Sequence, residues 1–419
     1  MILRDTTART MLGSMLLSSV GVGLYTLALG QTLFQQTGDS QTFAMIFALQ
    51  GLGAVAVLPF SGPLVDAFDS RSVYVLCSVL RAATVGVIMV ALTVSDDGLV
   101  AVVGTAAVFL AVFDNVQRTA FFKFTAHHIA GGRAVAFNSL IGIAFQAGSL
   151  TGMAALGLVL MVGTATQALL VDVAVSLTAA LVVSRLRTAR RESAGRLRNT
   201  TLRSALPDLL RDWAGLFRRH RHETVVFGMV LMCAGDFVYS YGLSTLVVPL
   251  VEAWPGGQSW AASTLQGSLG VGMIAATFFT RWTVRPSLLP VWMSLQVAIA
   301  LGLAFTTAPA AYYAGFFLAG VANLNGITTL LTLLQQQAGP LDKAKMASLR
   351  LLAIGLGTAA LMPAVGLASR QSVEAGFLTI AALMVPFAAC GVWAALRFRP
   401  RTEDPAPDTA EPRQELTSV

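Results

Sequence analysis

Apolar segments of about 20 residues recur along the whole chain, and no other feature constrains its fold as strongly. A helix of that length spans a bilayer core of roughly 30 Å. Unpaired backbone groups are costly in lipid, so such segments cross the bilayer as helices. With 55% hydrophobic and 12% charged residues, the composition is not that of a soluble domain. We therefore predict an all-α membrane protein.

Twelve membrane-spanning segments can be delimited, and a long basic connection separates the sixth from the seventh. The segments are 11–34, 41–60, 72–94, 98–117, 135–157, 164–184, 224–250, 263–281, 287–306, 311–334, 347–368 and 373–396. This pattern predicts two six-helix halves, a cytoplasmic basic linker and a disordered cytoplasmic tail. The N-terminal half is 1–184, the linker is 185–222, the C-terminal half is 223–400 and the tail is 401–419.

Basic residues are concentrated in alternate connections. They occur at both chain termini and in the connections that follow each even-numbered span, whereas Arg370 is the only basic residue assigned to the opposite side. By the positive-inside rule, both termini are expected in the cytoplasm. The net charge of +7 is explained by this topology, so we expect the lipid bilayer, and not nucleic acid, as the partner.

Cysteines and histidines form no recognisable catalytic or metal-binding pattern. Cys77, Cys233 and Cys390 lie in separate apolar segments, and all four histidines lie in polar connections. No Walker A pattern is present, so direct use of ATP is not indicated. We predict that the protein is not an enzyme and uses no cofactor or metal.

The connection between the second and third spans has a distinctive pattern, GPLVDAFDSR, over residues 62–71. It resembles the loop between helices 2 and 3 of the major facilitator superfamily, Gly-x-Leu-x-Asp-Arg-x-x-Arg. Ala67 replaces the usual arginine that follows the aspartate. The matching residues are Gly62, Leu64, Asp66 and Arg71.

This resemblance covers residues 1–400 and implies a major facilitator fold of two six-helix pseudo-repeats that transports by alternating access. Internal similarity supports the repeat. Leu49-Gln50-Gly51 recurs as Leu265-Gln266-Gly267, and Tyr25 has a counterpart in Tyr241 at the same offset. Parallel repeats of this kind are expected in this class of transporter.

A gating cluster is predicted at the cytoplasmic side. Asp114 and Arg118 have the i, i+4 spacing that allows pairing on one helix face. The resemblance implies that an acid here joins the charges of the 2–3 loop. We predict that Gly62, Asp66, Arg71, Asp114 and Arg118 hold the cytoplasmic side closed in an outward-open state. A role in topology or packing is the alternative.

Two further acids lie within spans, where a charge costs about 2.5–3.5 kcal/mol. Asp236 is the better candidate for proton coupling, because burial favours a neutral carboxyl and span 7 lines the cavity in this architecture. Asp172 lies in a string resembling Ile-Asp-Ala-x-Ser-Phe of drug and siderophore exporters, which commonly also have Gly-Asp in span 1. This chain has Gly21-Val22 there. Polar packing or substrate contact remains open for Asp236, and a helix–helix hydrogen bond for Asp172.

Uncharged polar and aromatic residues are predicted to line the substrate cavity, with interhelical packing as the alternative for each. No embedded lysine or arginine is assigned to hold an anion, which favours an amphipathic or neutral cargo. The candidates are Tyr25, Gln31, Gln50, Asn138, Gln146, Tyr239, Tyr241, Gln266, Asn323 and Asn325.

The chain resembles enterobactin-exporter-like and macrolide-efflux-like proteins of bacteria. This predicts a monomeric, proton-driven antiporter in the bacterial inner (plasma) membrane. It would export a secondary metabolite, siderophore or drug, as in multidrug resistance. In the antiporter signature of span 5, Ser149 stands where proline is expected. The alternatives are an importer or lipid flippase of the same fold, or a non-transporting membrane sensor or scaffold.

Overall fold

A computed structural model gives the arrangement of the chain. The predicted linker and tail lie almost entirely outside the residues it describes, so the division of the chain at 185–222 stays a prediction. The described residues are 5–94, 98–128, 133–186, 224–254, 259–337 and 343–397, together with Arg211, Gly215 and Arg218.

Twelve long α-helices make up most of the described residues, and no strand occurs among them. Each overlaps a predicted span, so the all-α fold class is confirmed. In their described residues, ten of them are long and apolar enough to cross a bilayer. Helix α8 is outside this set, and several side chains of α5 lie outside the description. The helices are α1 (Thr6–Thr37), α2 (Ser40–Ala67), α3 (Ser70–Val94), α4 (Leu99–His128), α5 (Arg133–Val162), α6 (Ala165–Ser184), α7 (Thr224–Glu252), α8 (Ser259–Thr277), α9 (Leu289–Ala304), α10 (Pro309–Gln337), α11 (Lys343–Ser369) and α12 (Val373–Arg397).

Short capped connections force consecutive helices into antiparallel pairs. Helix α1 ends at Gly38, which adopts a left-handed conformation with φ of 63°. The next residue, Asp39, caps α2 by accepting a hydrogen bond from the backbone amide of Gln41 at 2.9 Å. Thr164 and Gln167 form a reciprocal capping box at the start of α6. These caps supply partners for amides that the helices leave unpaired.

Glycines bring α1 and α5 into backbone contact. A Cβ at Gly23 would lie 1.9 Å from the carbonyl oxygen of Ser149, and one at Gly152 would lie 2.0 Å from that of Val20. Gly148 faces the carbonyl of Leu16 in the same way, at 2.5 Å. The small residues of this segment therefore permit a helix approach that any side chain would prevent.

The two halves meet mainly through α2 against α11 and α5 against α8. Gly51 packs on the backbone of α11, since a Cβ there would lie 2.5 Å from the carbonyl oxygen of Gly355. Phe47 stacks on Tyr241, with ring centroids 4.5 Å apart. Ser40 and Ser369 share a buried hydrogen bond of 2.7 Å. The Gly51 contact lies near the middle of both helices, whereas the Phe47–Tyr241 and Ser40–Ser369 contacts lie toward the end of the bundle that carries the α1–α2 and α11–α12 connections. We call these last two contacts the gate.

An ion pair closes the rim of the gate. Arg370 Nη2 lies 2.6 Å from Asp39 Oδ2, and Arg370 Nε donates to Asp39 Oδ1 at 3.1 Å. The Arg370 side chain is 56% exposed. Because exposed pairs contribute only about 0–1 kcal/mol, this pair can bias the state of the gate but cannot hold it alone.

Replacing Arg370 by glutamine is expected to shift the closed-to-open ratio of the gate by at most about fivefold, because the exposed pair contributes about 1 kcal/mol at most. Stability should be almost unchanged, since the Asp39 cap is kept. Fluorescence energy transfer between dyes on cysteines introduced at Gln36 and Gln371, which are exposed on either side of the gate, measures the ratio. Arg370→Lys should retain the wild-type ratio. A shift of more than about fivefold would contradict the assignment of a weak, exposed pair.

Candidate functional site

A buried arginine organises the core of the N-terminal half. Arg81 of α3 has a side chain that is 1% exposed, and its Nη2 lies 2.7 Å from Oδ1 of Asp172 on α6. Its Nε lies 3.6 Å from Oδ1 of Asp114 on α4. The guanidinium also lies 5.4 Å from the ring centroid of Tyr25 on α1. One cation therefore links four helices of this half.

Asp172 is fully buried in this cluster, and its carboxylate is accommodated by a glycine. Its Oδ1 also accepts a hydrogen bond of 3.4 Å from Ser176, whereas Oδ2 has no hydrogen-bond partner among the described residues. A Cβ at Gly21 of α1 would lie 2.3 Å from Oδ1. The carboxylate of α6 thus lies beside the position where the resembled exporters carry an acid on span 1.

Arg81 corrects one expectation from the sequence. Arg81 is the twelfth of the 25 residues of α3, about 16 Å along the helix. It is therefore embedded, whereas the sequence predicts no embedded lysine or arginine to hold an anion. The signal in the sequence is the distance of Arg81 from the predicted start of the third span at residue 72.

Of the predicted gating residues, the three whose side chains are described, Arg71, Asp114 and Arg118, do not form a single cluster. Arg71 donates to the carbonyl oxygens of Ser184 and Leu186, at 3.3 and 2.9 Å, at the end of α6. Arg118 lies 4.0 Å from the ring centroid of Phe145 on α5, while Asp114 makes its ion pair with Arg81. The i, i+4 pairing expected on α4 is replaced by these contacts. The surroundings of Gly62 and the side chain of Asp66 lie outside the described part of the structure. The gating role stays a prediction.

Asp236 of α7 lies in a separate polar cluster inside the C-terminal half. It is 1% exposed, and its Oδ1 accepts a hydrogen bond of 2.6 Å from Gln296 Nε2 on α9. Its Oδ2 accepts one of 2.9 Å from Asn323 Nδ2 on α10. No ion pair joins it to a basic residue in the described ranges. The carboxyl thus faces the interior of its own half, and no pattern in the sequence pointed to Gln296 as its partner.

The remaining predicted cavity residues mostly bond to neighbouring helices. Gln50 donates to the hydroxyl of Tyr25 at 2.7 Å, which extends the Arg81 cluster to α2. Gln266 donates to the hydroxyl of Ser244 at 2.9 Å. Asn325 bonds to Thr283, and Tyr241 belongs to the gate. Gln31 and Tyr239 are buried. The side chains of Asn138 and Gln146 lie outside the description.

A small cavity adjoins the Arg81 cluster. Its volume is about 20 Å³, enough for about one water molecule. Asp114 and Arg118 line it, together with Gln117 and Tyr74, whose buried hydroxyl has no hydrogen-bond partner in the described part of the chain. Asp114 is 16% exposed, so this side of the cluster is the accessible one.

Solved structures with a similar fold are membrane transporters. A POT family peptide transporter is 14% identical with a TM-score of 0.71, over 96% of this chain and 99% of that chain. The nucleoside transporter NupG is 15% identical with a TM-score of 0.65, over 94% and 100%. An inward-facing, unoccupied bacterial homolog of the human lysosomal transporter Spinster is 13% identical with a TM-score of 0.67, over 94% and 96%. At these identities the likeness establishes the fold alone.

A family model then places the chain within that class. The model described as Major Facilitator Superfamily matches residues 11–346. The chain belongs to this superfamily, as the 2–3 connection predicted, and is a transporter rather than an enzyme. No curated protein sequence gives a significant match. The exporter branch stays a prediction.

Proposed function

We propose that the protein is a monomeric, proton-coupled exporter of an amphipathic small molecule in the bacterial plasma membrane. The cargo would be a secondary metabolite, siderophore or drug. The observation that carries this proposal is Asp236, a buried carboxyl whose partners in the described structure are amides. Burial of an unpaired charge is costly, so the neutral form is favoured while the site stays dry. A carboxyl that holds its proton when it is buried and releases it when it is hydrated is suited to a carrier driven by a proton gradient.

The proposed orientation makes the observed state open toward the cytoplasm. The positive-inside rule places the end with the N-terminus and the α2–α3 connection inside the cell. The gate lies at the opposite end, where it blocks the path to the outside. The extensive contacts of α4 and α10 are with helices of their own halves. Cargo would therefore enter from the cytoplasm, and opening of the gate would release it.

The geometry around Asp236 accommodates both protonation states. The distance of 2.6 Å to Gln296 is short for an N–H···O bond but ordinary for O–H···O. The other amide atom, Gln296 Oε1, has no partner among the described residues. Rotation of this amide by half a turn would let Oε1 accept the proton of a neutral Asp236. The proton could then bind or leave without movement of α9.

Cargo and direction can be measured together in cells that lack the gene. Medium and cytoplasm are compared with those of the parent strain by mass spectrometry, each fraction separately. We expect a compound that is retained in the cytoplasm and depleted from the medium. A compound left unconsumed in the medium would instead establish import. If no compound is redistributed, the proposed function is wrong.

The substitution Asp236→Asn is expected to reduce pH-gradient-driven transport of that compound to the level of empty liposomes. Asparagine fits the same volume and can bond to Gln296 and Asn323, so the protein should remain folded. Exchange of cargo without a gradient should persist, because it needs no net proton movement. The measurement is uptake into proteoliposomes with an imposed pH gradient. The exposed Glu374, replaced by glutamine, is the matched control. Full-rate transport by Asp236→Asn would remove Asp236 from the coupling step.

A further inference from the structure

A second arginine lies at membrane depth in the C-terminal half, and no described acid lies within ion-pair distance of it. Arg350 is partly buried on α11, and its fully buried Nε has no hydrogen-bond partner in the described structure. No ion pair or hydrogen bond joins its guanidinium to any residue of the described ranges. Buried polar groups without partners are rare, and a buried unpaired cation is especially costly. Among the described residues, Arg350 therefore lacks the carboxylate or hydrogen-bond acceptor that a buried guanidinium needs.

Arg118 lies opposite, in the N-terminal half, at a similar depth. It lies ten residues before the end of α4, and Arg350 lies seven residues after the start of α11. At 1.5 Å per residue these positions are about 15 Å and about 10 Å from the same end of the bundle. The charges of the two arginines are close enough to act on each other, and Arg118 also interacts with Tyr241 of α7. The two guanidinium groups thus lie at similar depths on either side of the interface between the halves.

The surroundings of Arg118 favour an anion over a cation. Its guanidinium is stacked on Phe145, and no carboxylate in the described residues lies within ion-pair distance of it. Asp114, the nearest acid in the cavity, is held by Arg81 at 3.6 Å. The cavity beside it also presents Gln117 and the unpartnered hydroxyl of Tyr74. Hydrogen-bond donors remain available here after the internal ion pairs have formed.

From this arrangement we infer that the cargo carries an anionic group, a carboxylate, phosphate or sulfate, which binds between Arg118 and Arg350. Guanidinium groups bind such planar or tetrahedral oxyanions through paired hydrogen bonds. An anion between them would relieve the repulsion of the two cations and draw the halves together at the end that is open in this structure. The inference rests on the proposed function for the identity of the site as a cargo site. It replaces the expectation of a neutral cargo.

Binding to the purified protein in detergent tests this inference without requiring transport. The probes are 1-naphthoate and 1-naphthyl phosphate, with neutral 1-naphthol and cationic 1-naphthylmethylamine as comparisons at constant ionic strength. We expect the two anions alone to raise the melting temperature. Because charge-assisted hydrogen bonds are about twice as strong as neutral ones, Arg118→Gln and Arg350→Gln should each weaken binding at least about tenfold. Arg350→Lys should restore part of it.

Arg397→Gln, an exposed arginine at the end of α12, is the matched control and should bind the anions as the wild type does. The inference is overturned if no anion raises the melting temperature, if naphthol does so equally, or if the Arg350→Gln protein keeps the wild-type affinity. If the anions bind but no compound is redistributed in the gene-deletion experiment, the exporter proposal is rejected and the anion site is kept. If the redistributed cargo is neutral or cationic, the exporter proposal is kept and the anionic cargo is rejected.

Discussion

Replacing Asp172 by alanine is expected to destabilise the protein by about 3–5 kcal/mol, because it leaves Arg81 buried without its principal partner. The two side chains are 0% and 1% exposed, and they lie 2.7 Å apart. An arginine cannot escape this cost by losing its proton, since it stays charged in proteins. Asp114 offers only a contact of 3.6 Å from one side. The change should lower the midpoint of unfolding in detergent by a large margin.

The double substitution Arg81→Met with Asp172→Leu separates the loss of the charge pair from the loss of packing. Replacing a buried pair with apolar residues of similar volume is often neutral or stabilising, so the double variant should recover most of the stability lost by Asp172→Ala. If both variants unfold alike, packing and not charge explains the effect. If the recovered double variant also transports at full rate, the cluster is structural, and Asp172 takes no part in coupling.

Replacing Gly152 by valine is expected to prevent α1 and α5 from packing, with a cost at or above the upper end of the about 1–3 kcal/mol typical of overpacking. A Cβ at this position would lie 2.0 Å from the carbonyl oxygen of Val20 and 2.9 Å from the amide of Leu24. Both are backbone atoms, so neither can rotate away. Relief requires separation of the two helices, which also pack through Gly23 and Gly148.

The matched control for this change is Gly86→Val on α3. A Cβ at Gly86 meets no atom within 4 Å, so the added side chain has open space, and stability should change by less than about 0.5 kcal/mol. Folded yield after extraction in a mild detergent, followed by the unfolding midpoint, measures both variants. Equal yields for Gly152→Val and Gly86→Val would contradict the close approach of α1 and α5.

The apolar segments and the 2–3 connection were sufficient to predict the helices and the superfamily. A span of about 20 apolar residues has one stable form in a bilayer, so each helix follows from local sequence. The acids at positions 172 and 236 also stand out in the sequence, since a charge within a span is rare. Their positions on the helices, and the repetition of Leu-Gln-Gly in the second half, needed no knowledge of packing.

The partners of those acids were decided by the tertiary structure. Asp172 meets Arg81, 91 residues away, and Asp236 meets Gln296 and Asn323, which are 60 and 87 residues away. Such pairings depend on how each helix is rotated about its axis and on which neighbours it packs against. Arg71 shows the same limit, because it bonds to carbonyl oxygens at the end of α6, 113 and 115 residues away. The sequence by itself determined which residues are costly to bury in the membrane, and only the packing of the helices decided which partner each one meets.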